Sequence, residues 1–130
     1  MSTALTTVRK AYDTFARGDF DGVIAMVSPD VEWETVGRPD DYPLFGARRG
    51  VDGVRDFFTA NAEHQEIRRF EPQAFHDAGD TVIVEGQFDI TVKKTGKPFE
   101  IDFVHLFTIR DGKIVRFREF AAPDQTVLGR

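Results

Sequence analysis

The chain opens with apolar residues three and four apart: Leu5, Val8, Tyr12 and Phe15 recur at the spacing of one helix face. Arg17-Gly18 closes this pattern, a cation followed by a residue suited to a helix C-terminus. Asp19 can cap a second, short helix with Phe20, Val23, Ile24 and Val27 on its apolar side. Ser28-Pro29-Asp30 ends it, because proline disfavours helix in the residue before it. Residues 31–36 read as a short strand carrying the single tryptophan, Trp33. An irregular stretch, 37–50, follows with Pro39, Asp40-Asp41, Tyr42, Pro43 and Phe45; a loop of that length in so small a protein is more often functional than idle. Helical spacing then returns with Val51, Val54, Phe57, Phe58 and Asn61, and fades near His64.

From Ile67 onward the period becomes two. Val82, Val84, Gly86, Phe88, Ile90 and Val92 share one face; Thr81, Glu85, Gln87, Asp89, Thr91 and Lys93 share the other, with Ile83 out of pattern. After the turn at Thr95-Gly96-Lys97, Ile101, Phe103, His105, Phe107 and Ile109 alternate with Asp102, Val104, Leu106 and Thr108. Asp111-Gly112 is a strong hairpin signal, and a last strand runs from Ile114 to Ala121. Helices first and a meander last predict an α+β fold, α-α-β-α-β-β-β-β, with three helices on a curved, mostly antiparallel sheet around one apolar pocket. A length of 130 residues fits one domain, 1–130.

Composition narrows the function. Thirteen Phe against one Trp and two Tyr supply bulk without polar groups to satisfy, which suits a large apolar interior or a cavity wall. A net charge of −5, with its basic pairs scattered among acidic neighbours, argues against nucleic-acid binding. With no cysteine, disulfides, thiolate catalysis and cysteine metal sites are excluded. His64, His76 and His105 show no metal-ligand spacing, and no phosphate-cradling glycine loop is present. Residues 1–10 lack the apolar stretch of a signal peptide, and no apolar run approaches the ~20 residues of a membrane span. The expectation is a cytoplasmic protein without metal or cofactor.

YDTFARGDFDG (12–22), DVEWE (30–34), GVDGVRDFF (50–58) and above all FVHLFTIRDGKIVRFREF (103–120) occur in the order found in one family. Together they resemble the SnoaL-like, ketosteroid-isomerase-like branch of the nuclear transport factor 2-like superfamily. The resemblance implies a cystatin-like cone with a pocket between sheet and helices, and commonly a homodimer through the outer sheet face. It leaves the reaction open, since isomerases, cyclases, dehydratases (lyases), epoxide hydrolases and purely binding proteins share this fold.

His105 is the sharpest candidate. It is in phase with Phe103 and Phe107 on the face that should line the pocket, and a polar group there needs a reason. By the resemblance it stands near the oxyanion-hole aspartate of ketosteroid isomerases; an imidazole there can donate a hydrogen bond or act as a base. Glu119 shares a face with Val115, Phe117 and Ala121 on the last strand, so that His105 and Glu119 can form an oriented acid/base pair, both catalytic. Tyr12, Phe15, Trp33, Thr35, Phe57, Phe88, Phe103 and Phe117 are the expected pocket residues. Thr35 falls where the isomerases place their proton-shuttling aspartate and cannot serve as that base, which argues against steroid isomerisation. Glu34 would face the other way, and Tyr42 and Phe45 could cover the pocket mouth. The epoxide-hydrolase set is replaced here by Phe103 and His105, with Asp102 out of phase; histidine-based dehydratases fit better, although a second pocket histidine is not evident.

The opposite strand face mixes Ile83, Val104, Leu106 and Phe120 with Glu85, Gln87, Arg116 and Arg118, a composition suited to a two-fold interface. The function expected is cofactor-independent proton transfer on a hydrophobic small molecule. The alternatives are a non-catalytic ligand-binding protein and a dimeric association module.

Overall fold

The computed structural model describes residues 2–121. Its elements are α1 (Thr3–Ala16), α2 (Phe20–Ile24), β1 (Val27–Thr35), β2 (Gly46–Arg49), α3 (Gly50–His64), β3 (Gln65–Ala78), β4 (Thr81–Val92), β5 (Lys97–Arg110) and β6 (Lys113–Phe120). The strands form one sheet in the order β2-β1-β6-β5-β4-β3. All neighbours are antiparallel except β1 and β6, which run parallel. This is the α+β arrangement expected, three helices on a curved and mostly antiparallel sheet.

Local chemistry explains the element ends. Ser2 caps α1 by accepting from the Leu5 amide at 3.0 Å, and Asp19 caps α2 by accepting from the Gly22 amide at 2.9 Å. Between β5 and β6, Asp111 and Gly112 both have positive φ (52° and 74°), the conformation that a two-residue hairpin of this twist demands.

Several boundaries differ from the sequence reading. The second helix ends at Ile24, and the strand expected at 31–36 starts earlier, at Val27, and stops at Thr35. Val27 is buried by pairing with Ile114 of β6, so the residue assigned to a helix face belongs to the sheet instead. Pro29 is tolerated because the ladder shifts between Val27 and Glu32 and needs no regular donor there. The stretch 37–50 is not wholly irregular: Gly46–Arg49 pairs with β1 as a sixth strand. β6 ends at Phe120, one residue before the expected Ala121.

The core lies between the helices and the inner sheet face. Val8, Val31, Val54, Val82, Val84, Phe103 and Ile114 are almost wholly buried there. Gly86 is the narrow point. It pairs with Pro72 on one side and Phe103 on the other, and the Phe103 ring lies directly over it. A Cβ at this position would collide with that ring and sit 2.6 Å from the Glu71 carbonyl oxygen. Gly86→Ala is therefore expected to cost about 1–3 kcal/mol through overpacking. Urea denaturation should show a lower midpoint with an unchanged slope.

Candidate active site

Strand register assembles the site. Thr35 of β1 stands beside Glu119 of β6, and Glu119 stands opposite His105 of β5. Two residues along, Trp33, Phe117 and Phe107 repeat the same row in apolar form. The alternation of β5 and β6 turns both rows toward the helices, where α1 delivers Tyr12 from above.

The polar groups bond in series. The Tyr12 hydroxyl lies 2.8 Å from His105 Nδ1, and His105 Nε2 lies 2.7 Å from Glu119 Oε2. Thr35 Oγ1 donates to Glu119 Oε1 at 3.3 Å. A carboxylate oxygen accepts, so the hydrogen between ring and carboxylate belongs to Nε2; Nδ1 is then the acceptor for the Tyr12 O–H. The His105 side chain is 4% exposed and that of Glu119 15% exposed, so the pair is held largely out of water. Phe103 stacks under the imidazole at 4.1 Å between ring centres, and Phe117 meets it edge-on at 4.9 Å. Burial, and secondarily the charge of Glu119, push the Tyr12 phenol well above its ordinary pKa, so Tyr12 rests as a neutral hydroxyl.

Beside this series lies a cavity of about 80 Å³. Tyr12, Phe15, Trp33, Phe57, Phe88, Phe117, His105 and Glu119 line it. Two expected residues do not. Phe103 is 1% exposed and buried beneath the His105 ring, because its neighbour Gly86 lets it sink to the sheet. Thr35 lines a second hollow of about 30 Å³ with Tyr42 and Phe45, and Glu119 borders both spaces. A further difference concerns reach: both nitrogens of His105 are taken up by protein partners, Tyr12 and Glu119.

The sequence reading omitted Asn61, Gln65, Ile67 and Phe70 from the wall. Asn61 is in phase with the apolar face of α3 and could have been found. The β3 residues could not be read by alternation, because the strand carries irregularities between Ile67 and Arg69 and between Pro72 and Ala74. Tyr42 is buried, and its hydroxyl donates to Gln65 Oε1 at 3.0 Å; Gln65 Nε2 donates in turn to Asn61 Oδ1 at 2.8 Å. Glu34 faces away and accepts from Arg118 at 2.9 Å. His76 bonds Glu85 at 2.6 Å on the exposed face, and His64 lies 3.9 Å from Glu63. Among the described residues no group of three or more His, Asp or Glu is arranged to hold a metal ion, and no helix is long and apolar enough to cross a membrane.

One buried polar side-chain atom is unpaired among the described residues. Trp33 is 5% exposed, its indole Nε1 is buried, and nothing among the described residues accepts from it. Such an orphan donor costs about 1–3 kcal/mol.

The fold and site define a class. The SnoaL-like domain family matches residues 8–117, so the chain belongs to that family. An NTF2-like protein of unknown function from Burkholderia pseudomallei has 30% identical residues and a TM-score of 0.87, covering 100% of both chains. The crystal structure of TerC, co-crystallized with polyporic acid, has 29% identity and a TM-score of 0.82 over 93% of this chain and 92% of that one. An uncharacterized protein of Mycobacterium tuberculosis is 29% identical over 121 residues, 91% of this chain and 88% of the relative.

The buried phenols make a pH prediction. Burial pushes Tyr42 from its ordinary 10.0 to about 12, and Tyr12 is raised in the same direction. Below pH 10 native and unfolded chains both hold these protons, and the contribution to stability is full. Above it the unfolded chain releases them first, so stability falls as pH rises from about 10 toward 12 and beyond. Denaturation midpoints measured across this window should fall, and Tyr42→Phe should make the fall shallower. Phenolate absorbance of the native protein should show no step near pH 10.

Proposed function

We propose that the chain is a cofactor-independent enzyme that moves a proton on a hydrophobic small molecule, as isomerases, cyclases and dehydratases do. The observation that carries this reading is the unbroken series from the Tyr12 phenol through His105 to Glu119 at the wall of an apolar hollow. An acidic O–H or C–H of the ligand gives its proton to the Tyr12 oxygen while the phenolic proton passes to Nδ1. The imidazolium so formed lies against the Glu119 carboxylate. Reversal of the two transfers returns a proton to another atom of the ligand, and no net proton is lost. Because burial disfavours a free phenolate, the two transfers are concerted. His105 thus acts through Tyr12, and the base is the series rather than the ring alone.

The phenylalanine-rich wall favours an aromatic or otherwise flat apolar ligand. The co-crystallization of polyporic acid with TerC supports the same kind of occupant. An engineered cavity that binds benzene measures about 150 Å³. With about 80 Å³ in the larger space, which shares Gln65, Phe88, Ile90 and Glu119 with the smaller hollow, a ring enters when the Gln65 side chain makes way.

A second reading, ligand holding without turnover, is favoured by the complete internal satisfaction of His105. Exchange chemistry separates the two. In D2O the wild type should speed deuterium incorporation beside the carbonyl of phenylacetone, followed by proton NMR. Tyr12→Phe and His105→Gln should each slow it by on the order of 100-fold or more, with folding checked by thermal denaturation. Unchanged exchange in both variants would remove the relay. Binding without any acceleration by the wild type would favour holding.

We also infer that two copies associate through the outer face. Val104 and Phe120 are 36% and 37% exposed there, among Arg116, Arg118, Glu32 and Glu34. The mixed signs allow the face to meet its own copy. Light scattering at micromolar concentration should give twice the chain mass of 14.7 kDa, and Phe120→Glu should reduce it to one.

A further inference from the structure

We propose that Gln65 is the specificity-determining residue of the pocket. Its carboxamide fills a place that the ligand takes over with a neutral group able both to accept and to donate a hydrogen bond. This rests on the pocket reading above and deepens it by naming the chemistry at the far end of the occupant. Tyr42 lines the smaller hollow, Asn61 lines the larger, and Gln65 lines both. The Gln65 carboxamide is bonded to one residue of each wall. Its Oε1 accepts from the Tyr42 hydroxyl at 3.0 Å, and its Nε2 donates to Asn61 Oδ1 at 2.8 Å. The side chain therefore spans the junction of the two spaces.

Only the side chain of Gln65 is free to move. Its backbone N–H donates to the Asn61 carbonyl, and its Cα pairs with Val92 of β4. When the carboxamide withdraws, the Tyr42 hydroxyl keeps a longer contact with the His64 carbonyl oxygen, at 3.5 Å, so the buried phenol is not orphaned. What the withdrawal uncovers is set by the two bonds it breaks: a donor on Tyr42 and an acceptor on Asn61. Burial pushes the Tyr42 pKa up to about 12, so this hydroxyl holds its proton at neutral pH. A carboxamide or an alcohol on the ligand restores both short bonds, and an apolar end restores neither. A carboxylate is disfavoured, because Glu119 borders both hollows and carries the same sign. The occupant is then a ring on the phenylalanine wall, with a short neutral polar arm reaching toward Tyr42.

Two probes isolate the arm: 4-hydroxyphenylacetamide and 4-isobutylphenol match in shape and differ in the carboxamide. In a 15N-labelled wild-type sample, the Gln65 side-chain amide pair is assigned by its absence from Gln65→Ala. That pair should shift toward the solvent-exposed position when either probe binds. Calorimetry should show Gln65→Ala taking both probes more tightly than the wild type, since no side chain has to leave. Tyr42→Phe, added to Gln65→Ala, should weaken 4-hydroxyphenylacetamide on the order of tenfold and leave 4-isobutylphenol nearly unchanged. Binding with the Gln65 resonances unmoved, equal weakening of both probes by Tyr42→Phe, or binding to Gln65→Ala alone would each overturn the Gln65 assignment and leave the proton relay standing. Failure of both probes to bind either the wild type or Gln65→Ala would overturn the pocket reading and this inference with it. Should a variant fail to fold, the Gln65 resonances of the wild type decide.

Discussion

A carboxyl group and an imidazole stand opposite one another in the interior of this protein, and most of the architecture is arranged around satisfying them. Neither could stay buried alone, because an unpaired polar group in an apolar setting is costly. Glu119 meets His105 across an antiparallel pair and Thr35 across a parallel one. One residue therefore ties three strands in register. A slip of one position would turn Glu119 outward and leave His105 bare. A slip of two would keep both inside but carry them apart. The hydrogen bonds of the site thus serve the fold before they serve any reaction, and α1 is docked by the same device through Tyr12.

This double duty explains which parts of the molecule were legible in the sequence. The alternation of 101–109 and 114–120 is regular, so it placed His105 and Glu119 on one face, and the Asp111-Gly112 turn set their strands side by side. The phenol was recognised as a pocket group, but its bond to Nδ1 depends on how α1 crosses the sheet, and no spacing within one segment encodes that crossing. β2 was missed because Gly46–Arg49 is four residues long, with two of them charged and no apolar alternation to announce a strand. The parallel pairing of β1 with β6 joins segments about eighty residues apart, and it drew Val27 out of a helical pattern that local spacing favoured. Phe103 was in the right phase for the wall, yet a glycine on the neighbouring strand allowed its ring to settle beneath the imidazole.

The aromatic side chains divide their labour along the same lines. Phe103 and Phe117 clamp the imidazole from below and from the side, which fixes the direction of both nitrogens. Phe15, Phe58 and Phe70 join the helices to the far wall. Rings carry no hydrogen-bonding demand, so they can surround a polar series without competing for its protons. That is the setting in which a phenol keeps its proton.

The outermost strand opposite β2 has its own consequence. β3 is fourteen residues long and its outer edge is unpaired among the described residues, the usual template on which further chains add and grow into fibrils. It carries Glu66, Arg68, Arg69, Glu71 and Asp77, all of them exposed, and Pro72 interrupts its row of amide donors. Strand addition at that rim is discouraged by charge and by a missing N–H. Crowding of this protein in a cell is accordingly steered away from open-ended polymerisation.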